Sequence, residues 1–188
     1  MGREINQFNG SEEVKHNLME LVKYLRRSLE LTEKLSVSLQ DELDFVRTYI
    51  ELERGRVGEE FIATVTVEDG LDATRIMIPS MIVQIPVENA IKHGLAGKDG
   101  KKELSVYVSR ETNGIRITVT DNGRGYLPQV VSATRGTGTG LKVLYQTIQL
   151  LNTKNKSDKI RFNITNRSDG QTGTEVSVYI PFRFSYDL

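Results

Sequence analysis

The spacing of apolar residues changes character once along this chain, and that change limits the folds open to it. Between Ser11 and about Leu31, Val14, Leu18, Leu21, Val22, Leu25 and Leu29 recur every three or four positions with charges between them. This predicts an amphipathic helix, with Ser11 as its N-cap. Ser38, followed three residues later by Asp41, has the capping-box spacing. It announces a second helix through Leu39, Leu43, Val46 and Ile50, stopped by Gly55 and Gly58. The connection from Thr32 to Val37 is short, so the two helices form an antiparallel hairpin. Its narrow apolar stripe leaves two readings open, a hairpin packed on its own domain or a dimer-forming bundle.

After Gly58 strand patterns take over. Phe61 to Val67 reads as a strand with Asp69-Gly70 as a turn behind it, and Ile76 to Pro79 as a short extended lead-in. Ser80 to about His93 is an apolar-rich helix whose first turn Pro86 distorts or delays, and Gly94 is placed to close it in a left-handed conformation. Leu104 to Ser109 and Ile115 to Val119 alternate apolar with polar around a Thr112-Asn113-Gly114 turn, which is a hairpin. Leu127 to Thr139 has no period and is a long loop, after which Leu141, Leu144, Ile148 and Leu151 return to helical spacing. Two strands, Ile160 to Ile164 and Glu175 to Ile180, close the chain around Ser168-Asp169-Gly170. Neighbouring strands with helices inserted between them give an α+β sandwich: a mixed, mainly antiparallel sheet with helices on one face.

Composition closes off several chemistries. Lys plus Arg and Asp plus Glu both number 25, so the net charge is zero and a strongly basic nucleic-acid or membrane-surface binder is not expected. The absence of Cys removes a disulfide framework, a thiolate zinc site and a cysteine nucleophile together. With His16 and His93 the only histidines, a histidine-rich metal site is not expected either. Neither a signal peptide nor an apolar run long enough to span a membrane is present, so the sequence reads as soluble.

Three polar elements stand out. Gly136-Thr137-Gly138-Thr139-Gly140 ends where the Leu141 helix begins, and glycines ahead of a helix N-terminus suit phosphate oxygens. Asp121-Asn122-Gly123-Arg124-Gly125 follows a strand directly. A carboxylate there can accept from an exocyclic amine while the glycines let a flat base approach; a type I′ hairpin turn is the plainer alternative. Glu88-Asn89-Ala90-Ile91-Lys92-His93-Gly94 puts polar groups on an apolar helix, with Asn89 and Lys92 at i, i+3 on one face. An Asn oxygen, a Lys ammonium and a magnesium ion together suit a triphosphate.

In this order the elements resemble the ATP-binding domain shared by gyrase, the Hsp90 chaperones, sensor histidine kinases and MutL: Glu88 to Gly94 its N box, Asp121 to Gly125 its G1 box, and Gly136 to Leu141 its G2 box. Gly173-Thr174 resembles the terminal Gly-Thr that supports the adenine site. The run from Pro79 to Gly94 is similar to the LytS/YehU-like sensor histidine kinases, as are Leu25 to Leu29, Val37 to Leu43 and Tyr49 to Glu53 upstream. The resemblance implies a Bergerat-type sandwich over residues 58–188, preceded by part of a dimerisation hairpin over 1–57, with the Leu127 to Thr139 loop as an ATP lid. It implies ATP and Mg2+ as ligands, Asn89 on the metal, and Glu88, Asn89 and Lys92 as the catalytic set. It assigns Asp121 to the adenine amine, with Gly123 and Gly125 shaping the base pocket and Thr174 supporting it. Lys92, His93, Gly136, Thr137, Gly138, Thr139, Gly140 and the Leu141 backbone fall to the phosphates. A response regulator receiver domain, a homodimeric parent and membrane anchoring through upstream segments complete what it implies.

Departures from the pattern carry information as well. Hydrolytic members place a general base four residues before the Asn, and that position is Ile85, which suits a phosphotransferase better than an efficient ATPase. Pro86 sits one position later than the family's proline, and Val143 replaces an Asn. The phosphoacceptor Pro-His-Phe motif is absent, and Ile5-Asn6-Gln7-Phe8-Asn9 resembles it only in outline. The expectation is a catalytic fragment of a two-component kinase that binds ATP but does not phosphorylate itself, with His16 a solvated surface residue. The competing readings are a hydrolysing relative or anti-sigma-like serine kinase, and a non-catalytic nucleotide-sensing dimerisation scaffold.

Overall fold

The structure is a computed structural model that describes residues 18–126, 139–155 and 158–186. Ser11, His16, most of the lid and Gly136, Thr137 and Gly138 lie outside the described residues, as does the Thr139 side chain. Helix α1 is described over 18–32. It is followed by β1 (Ser36–Ser38), α2 (Leu39–Val57), β2 (Phe61–Val67), β3 (Met77–Pro79), α3 (Gln84–Asn89) and a π-helical turn (Ala90–Gly94). The rest is β4 (Lys102–Glu111), β5 (Gly114–Asp121), α4 (Thr139–Lys154), β6 (Arg161–Asn166) and β7 (Thr174–Pro181).

Five strands form one sheet in the order β2-β4-β5-β7-β6, with β2 and β4 parallel and every other pair antiparallel. Alternation along the strands puts Leu104, Val106, Val108, Ile115, Ile117, Val119, Val176 and Val178 on the inner face. Against that face pack Leu39, Leu43, Val46 and Ile50 from α2, and Leu144, Ile148 and Leu151 from α4, in a single core. The outer face stays open, with Ile62 and Tyr107 exposed on it. The expected mixed sandwich with helices on one face is therefore present, and it gains a ribbon that the sequence pattern does not reveal, β1 against β3, pairing Val37 with Ile78.

The hairpin divides its two helices between different environments. Ser38 caps α2 as expected, its Oγ accepting from the Asp41 N–H at 3.0 Å and donating to the Asp41 carboxylate at 2.7 Å. The α2 side chains enter the core, whereas on α1 Leu18, Met19, Leu21, Val22, Leu25 and Leu29 stay exposed. The contacts run in antiparallel order, with Tyr24 stacked on Phe45 at 4.8 Å and Arg27 reaching Asp41. Among the described residues no helix is long and apolar enough to cross a membrane.

One buried carboxylate joins α2 to the next helix. Glu42 is fully enclosed, and its two oxygens accept from the backbone N–H groups of Met81, Val83 and Gln84, each at 3.1 Å. These donors precede or open α3, whose cap residue Val83 supplies no side-chain bond, so a residue from another helix caps it. Met81 turns the chain into α3 with φ of 65°, a conformation a bulky side chain adopts only when held there. Burial pushes the Glu42 carboxyl above the usual range, and the three N–H groups oppose that shift. Glu42→Ala strands all three donors, and a loss of about 2–4 kcal/mol in denaturant unfolding is expected. A loss below about 1 kcal/mol would show that the capping is dispensable.

Candidate functional site

The site is assembled where α3, the end of β5, the start of α4 and the start of β7 meet. Pro86 is the third residue of α3, where its missing N–H has no helical acceptor to lose, so the helix starts only at Gln84. Beyond Asn89 the helix widens into the π turn, in which the Leu95 N–H reaches the Ala90 carbonyl at 2.8 Å. Gly94 ends that turn without entering the left-handed region, contrary to the expectation for it. Its necessity is steric: a Cβ would lie 2.9 Å from Asp121 Oδ1 and 3.0 Å from Oδ2.

Asp121 ends β5 and is 4% exposed. Its Oδ1 accepts from the Gly123 N–H at 2.8 Å and the Thr174 N–H at 3.3 Å, and the Thr174 side chain also bonds it. Burial is the main influence on its carboxyl and pushes it above the ordinary range, while these bonds and the nearby Arg167 pull it back. The backbone closes in on it from two sides. A Cβ on Gly123 would sit 2.1 Å from the Gly94 carbonyl oxygen, and one on Gly173 would sit 1.9 Å from the Asp121 carbonyl oxygen. A type I′ turn at Asn122-Gly123 would require positive φ at both, and neither has it. Asn122 instead accepts from the Glu103 N–H at 2.8 Å and donates to the Lys101 carbonyl, while the Arg124 N–H reaches Gly94.

Gly125 does take positive φ, 85°, and a Cβ on it would meet Asn166 Oδ1 at 2.7 Å. The same Asn166 oxygen accepts from the Tyr126 N–H at 2.6 Å, so the end of β6 anchors the chain leaving β5.

The second pole of the site lies at α4. Gly140, in its first turn, comes within 3.4 Å of Ile85 Cγ2 and 3.7 Å of Asn89 Nδ2, measured from a Cβ placed on it. The described start of α4 thus lies beside Asn89. Asn89 Nδ2 donates to the Ile85 carbonyl at 2.7 Å, which turns the amide so that Oδ1 is the atom left to bind. Lys92 pairs with Glu88 one turn back, so the expected Asn89–Lys92 face is arranged around that ion pair. His93 is half-buried, and burial first, then the Lys92 charge, lower its affinity for a proton. Leu141 is half-buried beside Gly140.

Asp121, Gly123, Gly125 and Thr174 therefore converge, and Asn89 meets Gly140 on the same layer of helices. Sequence reading did not single out Glu42, Asn166 or Arg167, and it gave Gly94 a different reason. Asn166 and Arg167 lie just before the Ser168-Asp169-Gly170 turn, outside the polar elements singled out in the sequence, and the register that pairs Asn166 with Thr174 brings them here.

The family described as histidine kinase-, DNA gyrase B-, and HSP90-like ATPase matches residues 75–183, and a histidine kinase family matches residues 3–61. The sensor histidine kinase/phosphatase LytS of Staphylococcus aureus is 32% identical over 169 residues, covering 86% of this chain and 28% of that protein. The sensor protein LytS of Bacillus anthracis is 29% identical, covering 90% of this chain and 29% of its own length. The chain thus spans under a third of the curated relatives it matches. Among solved structures, the mycobacterial sensor histidine kinase MprB superposes with a TM-score of 0.55 at 16% identity, covering 80% of this chain and 98% of that one. ShkA full-length in complex with AMPPNP gives 0.54 at 19% identity, covering 89% and 36%. At such identities these structures speak for the fold.

Two glycine substitutions separate packing from flexibility. Gly123→Ala forces a methyl into the Gly94 carbonyl and is expected to cost about 2 kcal/mol or more. Gly55→Ala, with nothing within 4 Å of its Cβ inside α2, is expected to stabilise by about 0.5–1 kcal/mol. Thermal and denaturant unfolding of both variants checks the opposite signs.

Proposed function

The chain belongs to the histidine kinase-, DNA gyrase B-, and HSP90-like ATPase family, and we propose that it is the ATP-binding catalytic portion of a two-component kinase of the LytS-like branch. In the parent protein it transfers the γ-phosphate of ATP to a histidine, and the phosphate passes on to a response regulator receiver domain. Residues 1–57 are read as part of a dimerisation hairpin and 58–188 as the catalytic domain. The parent is a homodimer anchored in the membrane by segments outside this chain.

The observation that carries the reading is the buried Asp121 carboxylate, walled by the glycine backbones of 94, 123 and 173. An acceptor at the bottom of a surface made of backbone suits the amine of a flat adenine base, because no side chain blocks its approach. At the opposite pole the α4 N-terminus and Gly140 suit phosphate oxygens, joined by Lys92, His93, Leu141 and the loop glycines 136 and 138 with Thr137 and Thr139.

Among the described residues no cluster of three acidic or His side chains could hold a metal by itself. That fits magnesium, which keeps its waters and takes one protein oxygen alongside phosphates; Asn89 Oδ1 is the donor of that kind here. The ion, when bound, neutralises charge on the phosphates. The chain itself orients the nucleotide through Asp121 and Thr174, offers helix N–H groups to the developing charge, and supplies Lys92 once Glu88 releases it. Glu88 sits beside Asn89 and assists as a polar partner to Lys92. Ile85 puts an apolar group against Gly140 where a hydrolase would need a base, which favours transfer over hydrolysis.

Calorimetry with Mg-ATP tests the reading. The wild-type chain is expected to bind and Asp121→Asn to bind at least tenfold more weakly, consistent with loss of a charge-assisted bond worth about 1.5–3 kcal/mol. Unchanged affinity in the variant would remove the assignment. The chain incubated alone with ATP is expected to gain no acid-labile phosphate, and its appearance on His16 would contradict the missing acceptor.

A further inference from the structure

The five-stranded sheet ends in two edges, β2 and β6, and they are finished differently. In the parallel pairing of β2 with β4, the Lys102 N–H donates to the Glu60 carbonyl at 3.1 Å and the Glu68 N–H to the Val108 carbonyl at 2.8 Å. These two bonds fix the even-numbered residues of β2 as the ones that face β4, since a parallel ladder uses alternate residues. The N–H and C=O groups of Phe61, Ala63, Val65 and Val67 therefore point away from β4, along the open edge. Phe61 is satisfied locally: its N–H donates to the Gly58 carbonyl and its carbonyl accepts from Arg54 Nη1, both at 3.1 Å. For the outward groups of Ala63, Val65 and Val67 no partner stands among the described residues.

Proteins blunt such an edge with a charge, a proline or a bulge inside the strand. The shorter β6 carries Arg161. Over its seven residues, Phe-Ile-Ala-Thr-Val-Thr-Val, β2 has none of these devices; it pairs without a bulge from Phe61 to Val67 and leaves Ile62 exposed. Its charges sit just outside, Glu59 and Glu60 before it and Glu68 and Asp69 after it. The carboxylates of Glu59, Glu60 and Asp69 are exposed and have no bonded partner among the described residues, while Glu68 accepts from the Arg110 N–H at 2.8 Å. The cations nearby are turned to main chain, Lys102 to the Val57 carbonyl at 2.7 Å and Arg110 to the Gly70 carbonyl at 2.9 Å.

We infer that the β2 edge is a docking site for an extended segment of another protein, rich in β-branched residues and carrying Lys or Arg at both ends, which lies against β2 as a further strand. The main chain of Ala63, Val65 and Val67 supplies its hydrogen bonds, and the acidic pairs flanking β2 choose its ends. The same flanks disfavour a second copy of this chain. Two β2 edges paired antiparallel about Val65 set Phe61 opposite Asp69 and Ile62 opposite Glu68, so that Glu59 and Glu60 of one copy crowd Glu68 and Asp69 of the other at both ends. No residue of the candidate nucleotide site lies on this edge, which β4 separates from β5.

The probe is a synthetic peptide, Lys-Lys-Val-Thr-Val-Thr-Val-Lys-Lys, offered to the full chain. Beside it stand a twin with Glu in place of every Lys and a third peptide N-methylated throughout its Val-Thr core, which cannot donate to β2. Amide hydrogen exchange followed by NMR reads the edge directly. In the free chain the N–H groups of Ala63, Val65 and Val67 are expected to exchange faster than those of Ile62, Thr64 and Thr66, and the Lys-flanked peptide to slow the first set about tenfold or more. By calorimetry the Glu-flanked twin is expected to bind about tenfold more weakly, from several rim charges of reversed sign. Val65→Pro deletes one outward N–H and leaves the β4 ladder whole, and a loss of about fivefold or more in peptide affinity is expected. Circular dichroism confirms its fold, and the methylated peptide makes the same comparison on the wild-type chain. No binding of the Lys-flanked peptide, equal binding of the methylated or the Glu-flanked one, or protection that does not alternate along β2 would overturn the inference. So would protection of Ala63, Val65 and Val67 that grows with concentration in the chain alone, since the occupant would then be a second copy.

Discussion

Everything in the site is placed relative to α3, and α3 is held by a carboxylate that belongs to another helix. Glu42 gathers three N–H groups at the point where the chain turns through Met81 into Gln84. Without an internal cap, the start of this short helix has no local reason to form at that residue and in that direction. Because the cap comes from α2, the position of Asn89 follows the position of α2, and α2 follows the hydrophobic core it shares with the sheet. Gln84 adds a second tie, its amide donating to Tyr24 on α1 at 3.1 Å. Among the described residues the first helix thus reaches α3 through this bond, while most of its apolar stripe stays uncovered.

From there the site is a matter of how closely backbones can approach. The π turn carries Gly94 onto Asp121, Gly123 lies on Gly94, and Gly173 lies on the other side of Asp121. Each of these glycines is required by a neighbour, and of the three only Gly173 also by φ. Removing a Cβ at three points buries a carboxylate while leaving an accessible surface of main chain around it. Burial would drive that carboxylate toward its neutral form, and the N–H groups of Gly123 and Thr174 counter this. The carboxylate is thus held by backbone donors from two different strand ends.

Much of this is legible in the sequence. The alternation of Ile115 to Val119 and the Asn113-Gly114 turn located a hairpin, and the three- and four-residue spacings located α2 and α4, because burial of one face imposes those periods. The polar residues on the apolar run from Ser80 to His93 marked the site, since such groups are costly on a buried helix without a purpose. Glu42 was not legible in this way: one acidic residue on an amphipathic helix looks like any solvated one until its neighbours are known. Gly94 was read as a helix terminator because sequence shows only its place after the helix, and a contact to Asp121 across the fold has no local signature. Of the β1–β3 ribbon the sequence shows only the extended run from Ile76 to Pro79 and not its pairing with Ser36–Ser38, because three-residue strands carry too few positions to display a period.

By itself, then, the sequence determined the kinds of element, their order, and the residue types gathered at the candidate site, since these depend on local periodicity and on side-chain chemistry. Tertiary structure alone decided which helix caps α3, which glycines are steric and which conformational, and that Asn166 stands beside Gly125 and Arg167 beside Gly173. Those relations arise from the register of β6 on β7 and of β7 on β5, and from the packing of α2, which bring together residues far apart in the chain. Charge and close contact act through space, so their pairing becomes readable only once the sheet has set the distances.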